Sequence, residues 1–242
     1  MSLAEDLTIA VAASAVDLPG PELLPERLAR ACAQVLPVDG AGISVYFSSD
    51  RRLPLGGSDD VAATAERLQF TVGEGPCLSA HASGEPLLAD EPTIQARWPA
   101  FHDQFVTRTP YRGVISLPLR GELHGFGALD LYLTPPHDVR SVSLFDALET
   151  RSEVSRIFSS VAGARRPGGS AWLDAPAAGR RSLVWQAMGF VNAGLDVCSV
   201  DALALLRAHA YGTGTDLEEL ARQVLAREMP LEELALDPDP SR

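Results

Sequence analysis

The stretch RRPGGSAWLDAPAAGRR, Arg165 to Arg181, constrains the fold more than any other. Pro167, Gly168, Gly169, Pro176 and Gly179 forbid a continuous helix across it, because proline removes a backbone donor and glycine carries a high entropy cost. The chain must therefore fold as two pieces. The expected boundaries are residues 1–164, a linker at 165–179, and residues 180–236. A length of 242 residues allows one or two domains.

The first piece mixes two periodicities. Leu3, Leu7 and Val11 predict a helix over 3–16, ended by Pro19-Gly20-Pro21. Leu24, Leu28, Ala31, Cys32 and Val35 predict another over 22–36, with Cys32 as a core thiol. Strands are predicted at 41–47, 85–89, 113–119 and 126–133, the last two as a hairpin turning at Gly121–Gly125. Arg51–Gly57 reads as a turn entering a short extended piece. Helices are predicted at 59–68, after the glycine-rich turn Val72–Leu78, at 98–107 and at 138–162. This order is α+β: an antiparallel sheet with helices gathered to one side.

The second piece is all-α. Leu183, Val184, Ala187, Val191 and Leu195 share a helical face. Ser199 is the expected N-cap of a second helix, which Gly212 and Gly214 end. Thr215-Asp216-Leu217-Glu218 reads as a capping box opening a third, with Leu217, Leu220, Ala221, Val224 and Leu225 as its apolar stripe. Pro230 stops that helix, and Leu231 and Leu234 are expected to pack back. A three-helix unit is generic, so periodicity alone is equally met by a dimerisation or docking bundle.

Charge limits the function. The net charge is −12, and every one of the 20 basic residues is arginine. From Asp174 to Leu236 nine acids face five arginines, a net of −4. A broadly basic nucleic-acid surface is excluded, so any RNA contact must use a local arginine patch against an unfavourable field. Cys32, Cys77 and Cys198 are widely spaced, with no CxxC pair, which argues against structural zinc and a disulfide framework. No apolar run is long enough to cross a bilayer, and the acidic N-terminus has no basic leader region. A cytoplasmic protein is expected.

Phe70–Cys77 (FTVGEGPC), Trp98-Pro99 with Phe101, and the strand pair Val114–Leu119 and Gly127–Tyr132 (GALDLY) together resemble a GAF domain of the actinobacterial type, over roughly residues 20–162. The resemblance implies a sensor module that binds a small molecule over its sheet or dimerises. It places Gly75, Cys77, His81 and Trp98 at the ligand pocket; the sequence names no cofactor. The residues leave other roles open. Gly73, Gly75 and Pro76 can simply shape a turn. Cys77 can be a helix-N-terminal thiolate or a small half-buried side chain. Trp98 and Phe101 can be core. His81 and Cys77 make a pair without a third ligand, so no metal is expected.

Gln186-Ala187-Met188-Gly189, Val200–Leu203 running into Leu206-Arg207, and Asp216–Ala221 resemble, in that order and spacing, an ANTAR domain. That resemblance implies a helical module that binds a stem-loop in a nascent transcript and opposes termination. Arg180, Arg181, Gln186, Arg207 and Arg222 are the RNA contacts it suggests, with Arg227 a further candidate. Arginine suits phosphate and unstacked bases because its planar fork donates two hydrogen bonds and stacks. Arg222 and Arg227 also sit among acids, where intrahelical pairing competes. Such domains often carry lysine where this chain has Met188, and many relatives enter the domain through a continuous coiled coil.

The combined expectation is a GAF-sensing, RNA-binding transcription antitermination regulator, homodimeric through 3–16 and 138–162. Two other readings stand beside it: an adaptor whose helical unit docks on a protein, and a redox or small-molecule sensor acting through Cys77 without RNA. No catalysis is expected: G-x-S-x-G, Walker and HExxH motifs are absent. A GAF-type free methionine sulfoxide reductase uses several pocket cysteines, and only Cys77 lies in a suitable loop.

Overall fold

The computed structural model describes residues 2–48, 51–119, 127–163 and 176–234. The expected hairpin turn Gly121–Gly125 and most of the expected linker lie outside the described residues. The chain divides into two compact units, Met1–Ala178 and Gly179–Arg242.

The first unit is α+β. Its elements run α1 (Leu3–Ser14), α2 (Leu24–Val35), β1 (Gly40–Ser48), β2 (Arg51–Gly57), α3 (Asp60–Val72), α4 (Pro76–Ser83), β3 (Leu87–Asp90), α5 (Glu91–Arg97), α6 (Pro99–Arg108), β4 (Gly113–Leu119), β5 (Gly127–Leu133) and α7 (Leu144–Gly163). The sheet is antiparallel throughout, in the order β2-β1-β5-β4-β3. Both prolines in strands avoid breaking the ladder. Pro54 lies on the edge strand β2, and Pro118 lies past Ser116, where β3 stops pairing with β4.

Register sorts the strand residues onto two faces. Ile43, Val45, Leu129, Leu131, Ile115 and Leu117 share one apolar, buried face. Helix α2 covers its β1–β2 end: a Cβ built on Gly56, opposite Ile43, would meet the Glu26 backbone at 2.8 Å. The other face carries Gly42, Ser44, Asp130, Tyr132 and Ser116. Here α3 approaches so closely that a Cβ on Gly57 would meet the Ala63 nitrogen at 2.4 Å. Helices therefore lie on both faces of the sheet and are not gathered to one, which is why β4 and β5 are buried along their whole length.

Other differences have local causes. Arg51–Gly57 is a full strand, paired with β1. Helix α5 arises because Asp90 N-caps it, accepting from Thr93 N–H at 3.1 Å with Pro92 in the first turn. The 138–162 helix starts at Leu144, since Asp138–Ser143 forms a side-chain-bonded turn in which Asp138 Oδ1 accepts from Arg140 N–H at 2.7 Å.

The second unit contains α8 (Pro176–Leu195), α9 (Ser199–Thr213) and α10 (Leu217–Leu225). Helix α8 begins inside the expected linker, because Pro176 occupies its first position, where a missing N–H costs nothing. Between α8 and α9 the chain bends by 108°. Cys198, not Ser199, is the N-cap of α9, and of the two glycines expected to end that helix Gly214 (φ 68°) does so while Gly212 lies inside it. Val184, Ala187, Val191, Ala202, Leu203, Leu206, Leu217, Leu220, Ala221 and Val224 form the buried core. Leu234 is buried, and Leu231 packs on α8 so tightly that a Cβ on Gly194 would meet its Cδ1 at 2.2 Å. No single described helix is long and apolar enough to cross a membrane.

Candidate functional site

The face of the sheet beneath α3 and α4 is polar and closed to solvent. Gly42 leaves room for the Glu66 side chain, since a Cβ there would lie 2.4 Å from Oε1. Tyr132 donates from its hydroxyl to Glu66 Oε1 at 2.6 Å, and Arg52 Nη2 donates to Oε2 at 2.5 Å. Arg52 is fully engaged in this layer: Nη1 donates to the Glu66 carbonyl at 2.9 Å and Nε to Ser44 Oγ at 3.2 Å. Gln69 bridges the layer to α4. Its Oε1 accepts from Cys77 N–H at 2.8 Å, and its Nε2 donates to Asp130 Oδ2 at 2.8 Å.

Gly75 makes that bridge feasible. Its φ of 145° suits glycine, and a Cβ there would lie 2.6 Å from Gln69 Oε1. Gly75 offers α4 no side-chain cap, so Gln69 satisfies one of the open N–H groups of the helix instead.

Burial sets the titration of the cluster. Desolvation, helped by the Asp130 charge, pushes Glu66 far above the usual carboxylate range, against the pull of Arg52. Burial also drives Cys77 well up, with Arg52 opposing; its thiol lies 3.3 Å from Tyr46 Oη and 3.4 Å from Ser44 Oγ. Of the two roles open to Cys77, burial opposes the helix-N-terminal thiolate, since desolvation outweighs the helix dipole, and the side chain is fully buried, beyond the half-burial of the other role.

His81 stacks on Tyr46 with ring centroids 3.5 Å apart, so it does share a side of α4 with Cys77. Desolvation, then Arg52, lowers its pKa. Trp98 is a core residue whose indole N–H donates to Ser79 Oγ at 3.2 Å, beside Phe101 and Phe105. Of the four expected pocket residues, Gly75, Cys77 and His81 border the polar layer, and Trp98 anchors α6 to α4. Among the described residues no group of three or more metal-ligating side chains forms.

The centre of the layer, Ser44, Arg52, Glu66, Gln69, Ser116, Asp130 and Tyr132, escaped the sequence reading. The signal was there: Asp130 interrupts the apolar strand GALDLYL, and Ser116 interrupts VISLPL. A polar residue on the alternating positions of a doubly buried strand needs a partner.

In the second unit the expected RNA contacts separate. Arg180 and Gln186 are exposed on α8, and Gln186 Nε2 donates to Ser182 Oγ at 3.1 Å. Gly189 lies on the same side as Gln186, with nothing within 4 Å of its Cβ position. Arg207 is half-buried on α9. Arg181, 1% exposed, does not lie on the surface: its Nη2 is 3.0 Å from Glu218 Oε1. Arg222 is exposed but pairs with Glu219 at 2.8 Å, the intrahelical alternative, and with Glu228, past the end of α10, at 2.9 Å. Those carboxylates hold its guanidinium protonated to well above the usual range. Met188 is 6% exposed, so the position where ANTAR domains often carry lysine faces the core here. The expected capping box does not form. Asp216 is the N-cap but makes no side-chain capping bond, Thr215 pairs with Thr213 at 3.1 Å, and Glu218 is turned to Arg181.

No protein-family model matches the chain, and no curated protein does. Solved structures do. The GAF domain of a phosphoenolpyruvate-protein phosphotransferase from Coxiella burnetii is 16% identical with a TM-score of 0.43, over 68% of this chain and all of that one. A free methionine-R-sulfoxide reductase from Neisseria meningitidis is 14% identical with a TM-score of 0.43, over 68% of this chain and 95% of that one. An RNA-binding light-oxygen-voltage receptor is 17% identical with a TM-score of 0.22, over 80% of this chain and 50% of that one.

Proposed function

We propose that the chain is a sensor-regulator: a GAF-type sensing unit followed by an ANTAR-type unit that binds hairpin RNA and opposes transcription termination. The observation that carries the RNA reading is how the motif residues divide in the second unit. Ala187, Ala202, Leu203, Leu206, Leu220 and Ala221 are core, while Gln186 and Gly189 share the outer side of α8 and Arg180 is exposed near its start. An open glycine beside an amide allows a nucleotide backbone or loop base to approach closely.

The sensing reading is supported by the closed polar layer between the sheet and α3–α4. Such a layer is an expensive way to fill a core, because buried ion pairs stabilise less than apolar packing of equal volume. Clustered, strongly shifted titratable groups are more common at functional sites. Nothing in the layer places a reactive nucleophile, so the unit is read as a sensor and not as a catalyst.

A homodimer is part of the proposal. Two hollows between α1 and α7 set Ala4, Ile9, Phe145 and Leu148 among Glu5, Glu149, Glu153 and Arg156, with Ile9 55% and Phe145 69% exposed. A second copy would cover them. The protein-docking alternative keeps one specific support: acids already neutralise Arg181 and Arg222. The test is a titration of the full chain with an RNA carrying two adjacent hairpins at two salt concentrations. Salt-sensitive binding supports the RNA reading, and its absence in folded protein favours the adaptor.

A further inference from the structure

We infer that Tyr211, on the outer side of α9, is a platform on which an unpaired loop base of the RNA stacks, with Arg207 one turn before it serving the neighbouring phosphate. The inference rests on the RNA reading of the second unit and adds a contact on α9 to those on α8.

Helix α9 is apolar on two sides. Ala202, Leu203, Leu206 and Ala210 are buried in the core. Val200, Ala204, Ala208 and Tyr211 recur at helical spacing on another side, and all four are exposed, Val200 by 63% and Tyr211 by 40%. An apolar strip that the fold leaves uncovered marks a contact surface. Arg207 stands one turn before Tyr211, at the edge of that strip. A helical side chain leans toward the N-terminus, which sets the ring over the turn that carries Arg207 and Ala208.

Charge selects RNA as the occupant. The chain has a net charge of −12, yet no acid occurs from Ala202 to Thr215. The acids of the second unit lie before that run, at Asp196 and Asp201, and after it, from Asp216 onward. The turns that hold Arg207 and Tyr211 therefore oppose an anionic partner least. Every base has a π-face, so an aromatic ring takes an unpaired base without a hydrogen-bond match, and loop bases are free to be splayed out. A guanidinium beside it meets phosphate through its planar fork.

The ring also stands on a fixed turn. The Tyr211 carbonyl accepts from Gly214 N–H at 3.3 Å, and the Ala210 carbonyl accepts from Thr215 N–H at 3.0 Å. These bonds close the end of the helix, so little ordering is left to be lost on binding. Gly212 follows within the helix, with nothing within 4 Å of its Cβ position. Packing gives no reason for glycine there, and glycine is a poorer helix former than alanine. It leaves the backbone beside the ring open to a sugar or phosphate.

The test titrates a two-hairpin RNA, with 2-aminopurine placed in turn at each loop position, against the full parent chain, Tyr211→Phe and Tyr211→Leu. One loop position should lose fluorescence on binding the parent, as a stacked base does. Tyr211→Phe keeps the ring and should keep both the affinity and the quench. Tyr211→Leu keeps apolar bulk without the ring. It should bind about tenfold more weakly, lose the quench, and retain the parent's salt slope, since no charge is removed. If Tyr211→Leu does not fold, Tyr211→Gln, a good helix former without a ring, takes its place.

Unchanged affinity and quench in the ringless variant, with RNA still bound by the parent, would overturn the inference and leave the RNA reading standing. Loss of self-association in sedimentation without loss of RNA affinity would assign the strip to a second copy and overturn it too. A folded parent that binds no hairpin RNA would overturn both the inference and the reading beneath it.

Discussion

Arg181 Nη2 lies 3.0 Å from Glu218 Oε1, joining the N-terminal part of α8 to the first turn of α10. This one contact accounts for two departures from the sequence. Arg181 belongs to an exposed-looking Arg-Arg pair, and Glu218 to a Thr-x-x-Glu capping box. Each side chain is instead taken by the other, and the Thr215 cap that Glu218 would have closed is not made.

Arg181 should therefore be needed for folding and not for contact. Arg181→Ala leaves a mostly buried carboxylate unpaired and should destabilise the second unit by about 3 kcal/mol. Arg180→Ala, at an exposed neighbour, should stay within about 0.5 kcal/mol of the parent. Urea unfolding measures both. Equal, small effects would show that the pair does not hold the unit together.

Glu66 predicts a pH dependence. Arg52 from β2, Asp130 and Tyr132 from β5, Tyr46 from β1, and Cys77 and His81 from α4 surround its layer. Its folded pKa, pushed up to about 8, exceeds that of an unfolded glutamate. The folded state thus holds a proton that the unfolded state has released. Stability is fullest below about pH 4.5 for this group and falls as pH rises through about 8, by on the order of 5 kcal/mol in all. Glu66→Gln should flatten that slope in a series of chemical denaturations. An unchanged slope between pH 5 and 8 would assign the dependence elsewhere.

Thiol reactivity separates the three cysteines. Burial pushes Cys32 to about 12 and Cys77 higher still, whereas Cys198 is exposed with its thiol 3.1 Å from Asp201 Oδ2. Native protein should react with about one equivalent of an alkylating reagent quickly, and with all three thiols only when unfolded. Rapid native labelling of Cys77 would revive the redox-sensor reading.

The element order was legible because it rests on local signals: helical stripes in α2 and α10, β-branched strands, and the glycines around α4. What the sequence concealed was mostly long-range. Arg52 looked like part of a polar turn, yet Glu66, 14 residues on, draws it into the core. Asp130 and Gln69, 61 residues apart, meet only once the strands pair. Helices on both faces could not be read from order alone, since the polar layer gives the α3–α4 face the look of a solvated one. Gly75 and Cys77 were picked out for their motif, and their true neighbour Gln69 fell just upstream of it, past the end of the predicted helix 59–68.

The α1–α7 hollows give a test of assembly. Phe145→Glu should shift the full chain from dimer to monomer in sedimentation velocity at micromolar concentration, with the fold retained. A parent chain that is already monomeric there would remove the dimer from the account.

The most direct test of the central claim is RNA affinity measured by titration at two salt concentrations, for the parent chain, Arg180→Ala, Gln186→Ala and Arg222→Ala. The account predicts salt-dependent binding of a two-hairpin RNA. Affinity should drop several-fold to tenfold for Arg180→Ala and Gln186→Ala, and change little for Arg222→Ala, whose charge is held by Glu219 and Glu228. Folded protein that binds no hairpin RNA at low salt, or binds it equally with Arg180 and Gln186 replaced, would contradict it.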